Sequence, residues 1–124
     1  MKFILENWNK FLNEQRVVSF DFDETLHYDY TPNKPMIKIM LDHHKKGDLV
    51  IIMTARHKKG MQPVYDFVQK HKLPVSKIYH TNMNLKGNYL KNLGCYLHYD
   101  DNASQRNDVS AHGIEARDVQ GIYS

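Results

Sequence analysis

Short apolar runs alternate along the chain with longer segments in which apolar residues recur at helical spacing. The runs are rich in β-branched and aromatic residues, and they predict strands at residues 17–20, 49–53, 77–80, 95–99 and 114–119. The segments between them predict helices at residues 36–46, 61–71, 86–93 and 102–110. This alternation predicts a three-layer α/β/α, Rossmann-like fold around a central parallel sheet of about five strands.

The first residues carry a separate amphipathic pattern. Their apolar side chains share one helical face, at Ile4, Leu5, Trp8, Phe11 and Leu12. We therefore predict a single domain over residues 1–124, in which residues 1–15 form an amphipathic helix that packs on the core. A helix that docks on a partner protein is the alternative interpretation.

The length and composition suit one globular domain. The chain has 124 residues, of which 41% are hydrophobic and 25% are charged, and its net charge is +3. A domain of this size buries enough surface to fold without cross-links. Cys95 is the single cysteine, so no disulfide can form within the chain, and we expect a cytoplasmic location. No apolar stretch approaches the roughly 20 residues that span a bilayer, so we expect no membrane partner.

Polar residues follow three of the predicted strands where each strand ends. Asp21 and Asp23 follow the first strand, Thr54 follows the second, and Asp100 and Asp101 follow the fourth. The carboxyl ends of parallel strands meet at one edge of a sheet, where ligands bind. Nearby carboxylates repel one another, and a Mg²⁺ ion, which prefers oxygen ligands, would relieve that repulsion.

A hydroxyl and an ammonium group complete a set of side chains suited to phosphoryl transfer. Thr54 offers a hydrogen-bond donor, and Lys86 offers a positive charge, with Lys91 as a second candidate. Phosphoryl transfer requires a nucleophile, a proton donor and cations that face the phosphoryl oxygens. The residues therefore indicate a phosphate-handling site at this edge of the sheet.

Together these motifs resemble those of the haloacid dehalogenase-like hydrolase superfamily. Its four motifs are Asp-x-Asp-x-Thr after an apolar strand, a Ser or Thr after a second strand, a Lys, and an acidic pair after a later strand. The matching residues, in the family's order, are Asp21, Asp23 and Thr25, then Thr54, then Lys86, and finally Asp100 and Asp101. The resemblance covers residues 17–101.

The resemblance implies a role for each matched residue. Asp21 is expected to attack phosphorus and form an aspartyl-phosphate, and Asp23 is expected to protonate the leaving oxygen and then activate water. The residues expected to bind phosphate are Thr25, Thr54, Ala55, Arg56 and Lys86. The expected Mg²⁺ ligands are Asp21, the backbone carbonyl of Asp23, and Asp100 with Asp101, of which Asp100 is the preferred direct ligand.

The gaps between the motifs leave no room for the cap domain that many relatives carry. About 28 residues separate Thr25 from Thr54, and about 31 separate Thr54 from Lys86, and each gap already holds one helix and one strand. Resemblance to capless members implies a site that is open to solvent or covered by a neighbouring subunit. An open site suits bulky substrates such as nucleic-acid ends or phosphoproteins, and small substrates stay possible. The basic residues 56–59 would attract such polyanions, unless they form a merely solvated loop. Among capless relatives, the chain has a distant resemblance to the phosphatase domain of polynucleotide kinase, in its motifs and in the missing cap.

Other functions stay open at this point. A phosphatase of small sugars or metabolites would use the same chemistry, and a non-catalytic binding or regulatory module would keep the fold without turnover. Intact Asp21 and Asp23 argue against the module. A receiver-like signalling domain fits poorly, because its acidic pair and its phosphorylated Asp lie on different strands. The sequence gives no prediction of the oligomeric state.

Overall fold

The computed structural model of the protein describes residues 15–121. The amphipathic helix predicted over residues 1–15 lies outside the described residues, except for Gln15. The strands within the described part are β1 (Val17–Phe20), β2 (His27–Tyr28), β3 (Thr31–Pro32), β4 (Leu49–Thr54), β5 (Lys77–His80), β6 (Cys95–Tyr99) and β7 (Glu115–Arg117). The helices are α1 (Lys34–Lys45), α2 (Gln62–Lys70), α3 (Gly87–Asn92) and α4 (Ala103–Ala111), and a 3-10 turn spans Lys58–Gly60.

The central sheet contains five strands in the order β5-β4-β1-β6-β7. Every neighbouring pair in this sheet is parallel. The chain builds one half outward from β1 through β4 to β5, and it then crosses back to build the other half through β6 and β7. The predicted α/β fold with a parallel sheet is confirmed. The change of direction beside β1 creates a crevice at the carboxyl edge of the sheet, where such folds bind ligands.

Each face of the sheet buries an apolar cluster, because successive residues of a strand point to opposite faces. The cluster on the side of α1 and α2 includes Val18, Phe20, Met40, Ile52 and Phe67. The cluster on the side of α3 and α4 includes Ile51, Met53, Leu90, Val109 and Ile114. Because both faces are buried, the sequences of the central strands are nearly continuous runs of apolar residues. None of the described helices is long and apolar enough to cross a membrane.

The hairpin formed by β2 and β3 was not predicted. Its two antiparallel strands are joined by Asp29 and Tyr30, whose φ angles are 50° and 63°. Positive φ at both central residues is the geometry of the tight turn that matches the twist of a hairpin. Neither residue is Gly, so the sequence lacks the usual signal. The hairpin follows the Asp21–Asp23 segment directly and lies at the carboxyl edge of the sheet.

A buried polar cluster is centred on Asp48, which lies between α1 and β4. The Asp48 Oδ2 atom lies 2.8 Å from His43 Nδ1 and accepts a 2.6 Å hydrogen bond from the Tyr96 hydroxyl. Arg16 Nε lies 3.6 Å from the other carboxylate oxygen. Burial alone would raise the pKa of Asp48, but the hydrogen bonds from Tyr96 and His43 outweigh it and lower that pKa. Ionised Asp48 therefore stabilises the fold.

Asp48→Asn should lower the free energy of unfolding by about 1–3 kcal/mol near pH 7, because the side chains of His43 and Tyr96 lose the charged oxygen that accepts their hydrogen bonds. The folded pKa of Asp48 is lowered. Its stabilisation is therefore complete above the unfolded pKa of about 3.9 and is lost as the pH falls through the folded pKa. Urea unfolding from neutral to acid pH should show the gap between wild type and variant closing below about pH 4. A gap independent of pH, or one matched by the exposed control Asp42→Asn, would contradict this account.

Candidate active site

A buried lysine lies between two carboxylates at the carboxyl edge of the sheet. Lys86 Nζ is 2.8 Å from Asp21 Oδ1 and 2.6 Å from Asp100 Oδ2. Asp21 follows β1 and Asp100 follows the adjacent strand β6, so the sheet itself brings the two acids together. Lys86 is 1% exposed, whereas Lys91 points from α3 into solvent. Of the two lysines that the sequence offered, Lys86 is therefore the one in contact with Asp21.

Two neighbours of Lys86 explain how it reaches this position. Its backbone N–H donates to the Gln105 side chain on α4, at 3.0 Å. Gly87 follows, and a Cβ atom there would lie 2.2 Å from His112 Nδ1. The absence of a side chain at Gly87 thus lets α3 begin directly against α4. This close approach carries the Lys86 ammonium inward to the carboxylates.

Opposing electrostatic effects act on the three groups. Burial raises the pKa of Asp21, the Lys86 ammonium lowers it, and the charge of Asp100 raises it again, so that the net shift is upward. Burial alone would raise the pKa of Asp100, but the His98 hydrogen bond and the Lys86 charge lower it to about 2. The Lys86 pKa is raised despite burial, because both carboxylates stabilise its charge. One ammonium therefore leaves this pair of acids with excess negative charge.

Three carboxylates beside Lys86 could hold a divalent cation. Asp21, Asp100 and Asp101 each offer one carboxylate oxygen, and these atoms all lie within 4.8 Å of one another. Asp21 Oδ2 accepts from the Thr25 hydroxyl at 3.2 Å. An all-oxygen donor set with one open side suits Mg²⁺, which retains several waters. The Asp23 carboxylate is not part of this group, and the role of the Asp23 backbone carbonyl as a ligand stays a prediction.

Asp23 is instead paired with Arg56. The guanidinium donates from Nε to Asp23 Oδ2 at 2.8 Å and from Nη2 to Oδ1 at 2.7 Å, and His27 Nε2 lies 3.3 Å from Oδ1. Burial would raise the pKa of Asp23, but the hydrogen bonds from Arg56 and His27 lower it far below its usual value. In this arrangement, Asp23 is a carboxylate near neutral pH. The expectation that Arg56 faces a substrate thus needs refinement, because its guanidinium already holds Asp23.

An open cavity of about 690 Å³ connects these groups. The sequence-predicted residues on its wall are Asp21, Asp23, Ala55, Arg56, Lys86, Asp100 and Asp101. Thr25 and Thr54 are buried just beneath it, and the Thr54 hydroxyl accepts a 3.3 Å hydrogen bond from the Arg56 N–H. Sequence motifs far apart in the chain thus meet around one cavity, although the two threonines lie behind its surface.

The comparisons with known proteins support the fold. No protein-family model matches the sequence, and no curated protein matches it either. Among solved structures, the chain is similar to one in the "Structure of the Pnkp1/Rnl/Hen1 RNA repair complex", with a TM-score of 0.64 and 17% sequence identity. The similarity covers 85% of this chain but 42% of that chain. At this level of identity, the likeness shows a shared fold.

Several residues that contact the site were missed by the sequence analysis. His98 Nε2 lies 2.7 Å from Asp100 Oδ2, and its other ring nitrogen lies 2.9 Å from the Ser19 hydroxyl. The Asn33 side chain donates to the carbonyl of Thr25 at 3.0 Å and thereby braces the first motif. His98 was detectable in principle, because residues two apart on a strand share a face. Asn33 carried no comparable signal.

Strained backbone is concentrated around the mouth of the cavity. Among the described residues, the non-glycine positions with positive φ are Glu24, Asp29, Tyr30, Lys72, Asn82 and Met83. Four of these, Glu24, Asp29, Tyr30 and Met83, line the cavity. Such conformations cost free energy and tend to persist where surrounding structure enforces them. The β2–β3 hairpin is also connected to the site, because the Tyr30 hydroxyl accepts a 2.9 Å hydrogen bond from Arg56.

Asp21→Asn should raise the free energy of unfolding of the metal-free protein by about 0.5–2 kcal/mol. The folded pKa of Asp21 is raised, so its ionisation opposes folding above the unfolded pKa, and the amide removes that cost while Lys86 keeps Asp100 as its partner. Urea unfolding in the presence of a chelator near neutral pH measures the change. Asp66→Asn, at an exposed position of α2, is the control and should shift stability by less than about 0.5 kcal/mol. A less stable Asp21→Asn protein would contradict the prediction.

Proposed function

We propose that this protein is a Mg²⁺-dependent phosphatase of the haloacid dehalogenase type, which hydrolyses a phosphomonoester through an aspartyl-phosphate. The observation that carries this proposal is the position of Asp21 in the cavity, with Lys86, Asp100 and Asp101 around it. A carboxylate nucleophile, an ammonium group and a hard-cation donor set within a few ångströms are what phosphoryl transfer requires. A structural ion pair alone would not need an open cavity beside it.

In the first step, an oxygen of Asp21 attacks phosphorus and forms a new P–O bond. The bond from phosphorus to the leaving oxygen breaks, and that oxygen takes a proton from Asp23. Asp21, Asp100 and Asp101, with the Asp23 carbonyl, would hold Mg²⁺, which supplies charge neutralisation to the phosphoryl oxygens when it is bound. Lys86 supplies a fixed positive charge to the same group. The nucleophile is held by Lys86 and Thr25.

In the second step, Asp23 accepts a proton from water. The water oxygen attacks phosphorus, the bond from phosphorus to Asp21 breaks, and inorganic phosphate leaves. Asp23 is already suited to this step, because its contacts with Arg56 and His27 keep it ionised. For the first step, Arg56 must turn toward the incoming phosphoryl group, since a weaker contact with Arg56 raises the pKa of Asp23 and allows it to carry a proton.

The proposed substrate is the phosphorylated end of a nucleotide or nucleic acid. The cavity is open and has exposed Tyr28 and Met83 at its mouth, and the exposed basic residues 57–59 follow Arg56 on the same edge. The fold similarity to a chain of an RNA repair complex makes such ends the first substrates to test. A small sugar phosphate is the alternative, and the two differ in salt dependence, because contacts to several backbone phosphates weaken steeply as salt rises.

Hydrolysis of an aryl phosphate should require Mg²⁺ and should be abolished in Asp21→Asn, because the amide cannot attack phosphorus. Lys86→Met should lower kcat by about a hundredfold or more, since the phosphoryl charge loses its buried cation. Lys91→Met is the matched control on the solvent side of α3 and should keep wild-type turnover. Equal losses for the two lysine variants would contradict the role of Lys86. No turnover by folded wild type on aryl phosphate and on 3′- and 5′-phosphorylated oligonucleotides would favour a non-catalytic binding module.

Asp23→Asn should slow hydrolysis by an amount that depends on the leaving group. An alkyl phosphate needs a proton on its leaving oxygen, so we expect kcat to fall by about 10²–10⁴-fold. An aryl phosphate leaves as a more stable anion, so the loss in formation of the aspartyl-phosphate should be much smaller. Rapid-mixing measurements of the first turnover with matched alkyl and aryl substrates test this. The same loss with both substrates would rule out Asp23 as the acid of the first step.

A further inference from the structure

We propose that His98, together with Ser19, is a positioning residue that fixes the Asp100 carboxylate for metal binding. This inference rests on the proposed function, because it assigns a task to groups behind the metal ligands. Neither residue lines the cavity, and both are fully buried. Their contribution must therefore be made through Asp100.

The register of the sheet places the two residues side by side. Ser19 on β1 pairs directly with His98 on β6. Asp100 lies two residues after His98, so its side chain leaves the chain on the same face. The contacts form a chain of two hydrogen bonds. The Ser19 hydroxyl lies 2.9 Å from His98 Nδ1, and His98 Nε2 lies 2.7 Å from Asp100 Oδ2. Continuous strand geometry, rather than a mobile loop, therefore sets the position of the imidazole ring.

The chemistry of the groups fixes the direction of these hydrogen bonds. An ionised carboxylate can only accept, so His98 Nε2 carries the hydrogen and donates it to Asp100. A neutral imidazole then has an acceptor at Nδ1, which receives the Ser19 hydroxyl hydrogen. Metal-binding groups commonly depend on such outer hydrogen bonds for their orientation. Here both nitrogens are used, and the ring is held against rotation from two sides.

Fixing Asp100 Oδ2 determines where its other oxygen points. Oδ2 receives His98 Nε2 and Lys86 Nζ, whereas Oδ1 accepts a hydrogen bond from the Asn102 N–H at 3.1 Å. Without the His98 donor, Lys86 alone would hold Oδ2, and the carboxylate could rotate toward the ammonium. Such a rotation would move the Asp100 carboxylate out of the group that it forms with Asp21 and Asp101, in which ligand atoms lie within 4.8 Å of one another. His98 thus holds the Asp100 carboxylate in an orientation in which it can contact both Lys86 and the metal.

The location of His98 in an apolar layer supports a specific task. The same face of the sheet carries Ile51 and Met53, which pack with Leu90 and Val109. An apolar side chain would suit this layer without the cost of burying two polar nitrogens. A second buried histidine also contacts a carboxylate, since His43 Nδ1 lies 2.8 Å from Asp48. The hydrogen-bond partners of His43 are Asp48, Tyr96 and Tyr99, and none of them lines the cavity. His43 therefore provides a matched control.

Two amide substitutions at His98 separate the two hydrogen bonds. The Gln amide nitrogen reaches the position of Nε2 and can still donate to Asp100, whereas the shorter Asn reaches only the position of Nδ1. Mn²⁺ binding to the phosphate-free protein is measured by loss of the free-ion electron paramagnetic resonance signal. We expect His98→Asn to weaken Mn²⁺ binding by about 10- to 100-fold and Ser19→Ala by a smaller factor. His98→Gln should stay within about threefold of wild type because it retains the donor.

Turnover provides the second readout. His98→Asn should raise the Mg²⁺ concentration for half-maximal hydrolysis of an aryl phosphate by a similar factor, while kcat at saturating Mg²⁺ stays close to wild type. A residue needed only for packing would instead lower stability and leave the Mg²⁺ requirement unchanged. His43→Gln, which removes the contact of His43 with Asp48, should behave in that second way.

The outcomes distinguish this inference from the proposed function. If wild type binds Mn²⁺ and folded His98→Asn binds it equally well, or if His43→Gln weakens Mn²⁺ binding as much, the positioning role is wrong and the phosphatase proposal stands. If wild type binds no Mn²⁺ and no Mg²⁺, the metal site fails and both proposals fall. Should His98→Asn not fold, Ser19→Ala decides the question, because unchanged Mn²⁺ binding in that variant would also overturn the role.

Discussion

Two carboxylates buried at neighbouring strand ends repel each other unless a cation lies between them. Asp21 and Asp100 are in this position because β1 and β6 are adjacent and in register, and Lys86 supplies the cation. Removing an ion from water costs several kcal/mol, which a single well-placed opposite charge offsets only in part. One ammonium for two acids leaves a residual negative charge that the fold retains at some cost in stability. The proposed Mg²⁺ would offset this residual charge.

Further buried side chains hold the two carboxylates that contact Lys86. Behind Asp100 stand His98 and Ser19, which are paired across the same two strands, and beside Asp21 stands Thr25. All of these side chains are buried, so each can be displaced only together with its neighbours. Preorganisation of this kind avoids reorganisation during reaction, which is the main contribution that protein dipoles and charges make to phosphoryl transfer. The rigid part of the site is therefore the part that touches Asp21, the proposed nucleophile, and Asp100, a proposed metal ligand.

Sequence alone predicted the sheet and the meeting of the motifs, because both follow from periodicity and from strand ends. Lys86 and Lys91 could not be separated in that way, since the choice depends on how α3 begins against α4 at Gly87. The hairpin escaped notice because its turn uses Asp29 and Tyr30 in place of Gly. The pairing of Asp23 with Arg56 joins residues from different loops, and no local pattern encodes it. These are tertiary effects, decided by what the packed elements bring into contact.

Charge balance connects the ion pairs that Lys86 and Arg56 form with the proposed chemistry of the site. In the protein by itself, Lys86 and Arg56 are neutralised by Asp21, Asp100 and Asp23. A phosphate group brings negative charge and gives Arg56 a partner other than Asp23, and a bound Mg²⁺ would offset the charge that phosphate adds. Phosphate without the metal would add negative charge to a group of acids that Lys86 neutralises only in part, at a cost that rises as the local dielectric falls. The same exchange would free Asp23 from Arg56 when its proton is needed, so that binding and activation of the acid become one event.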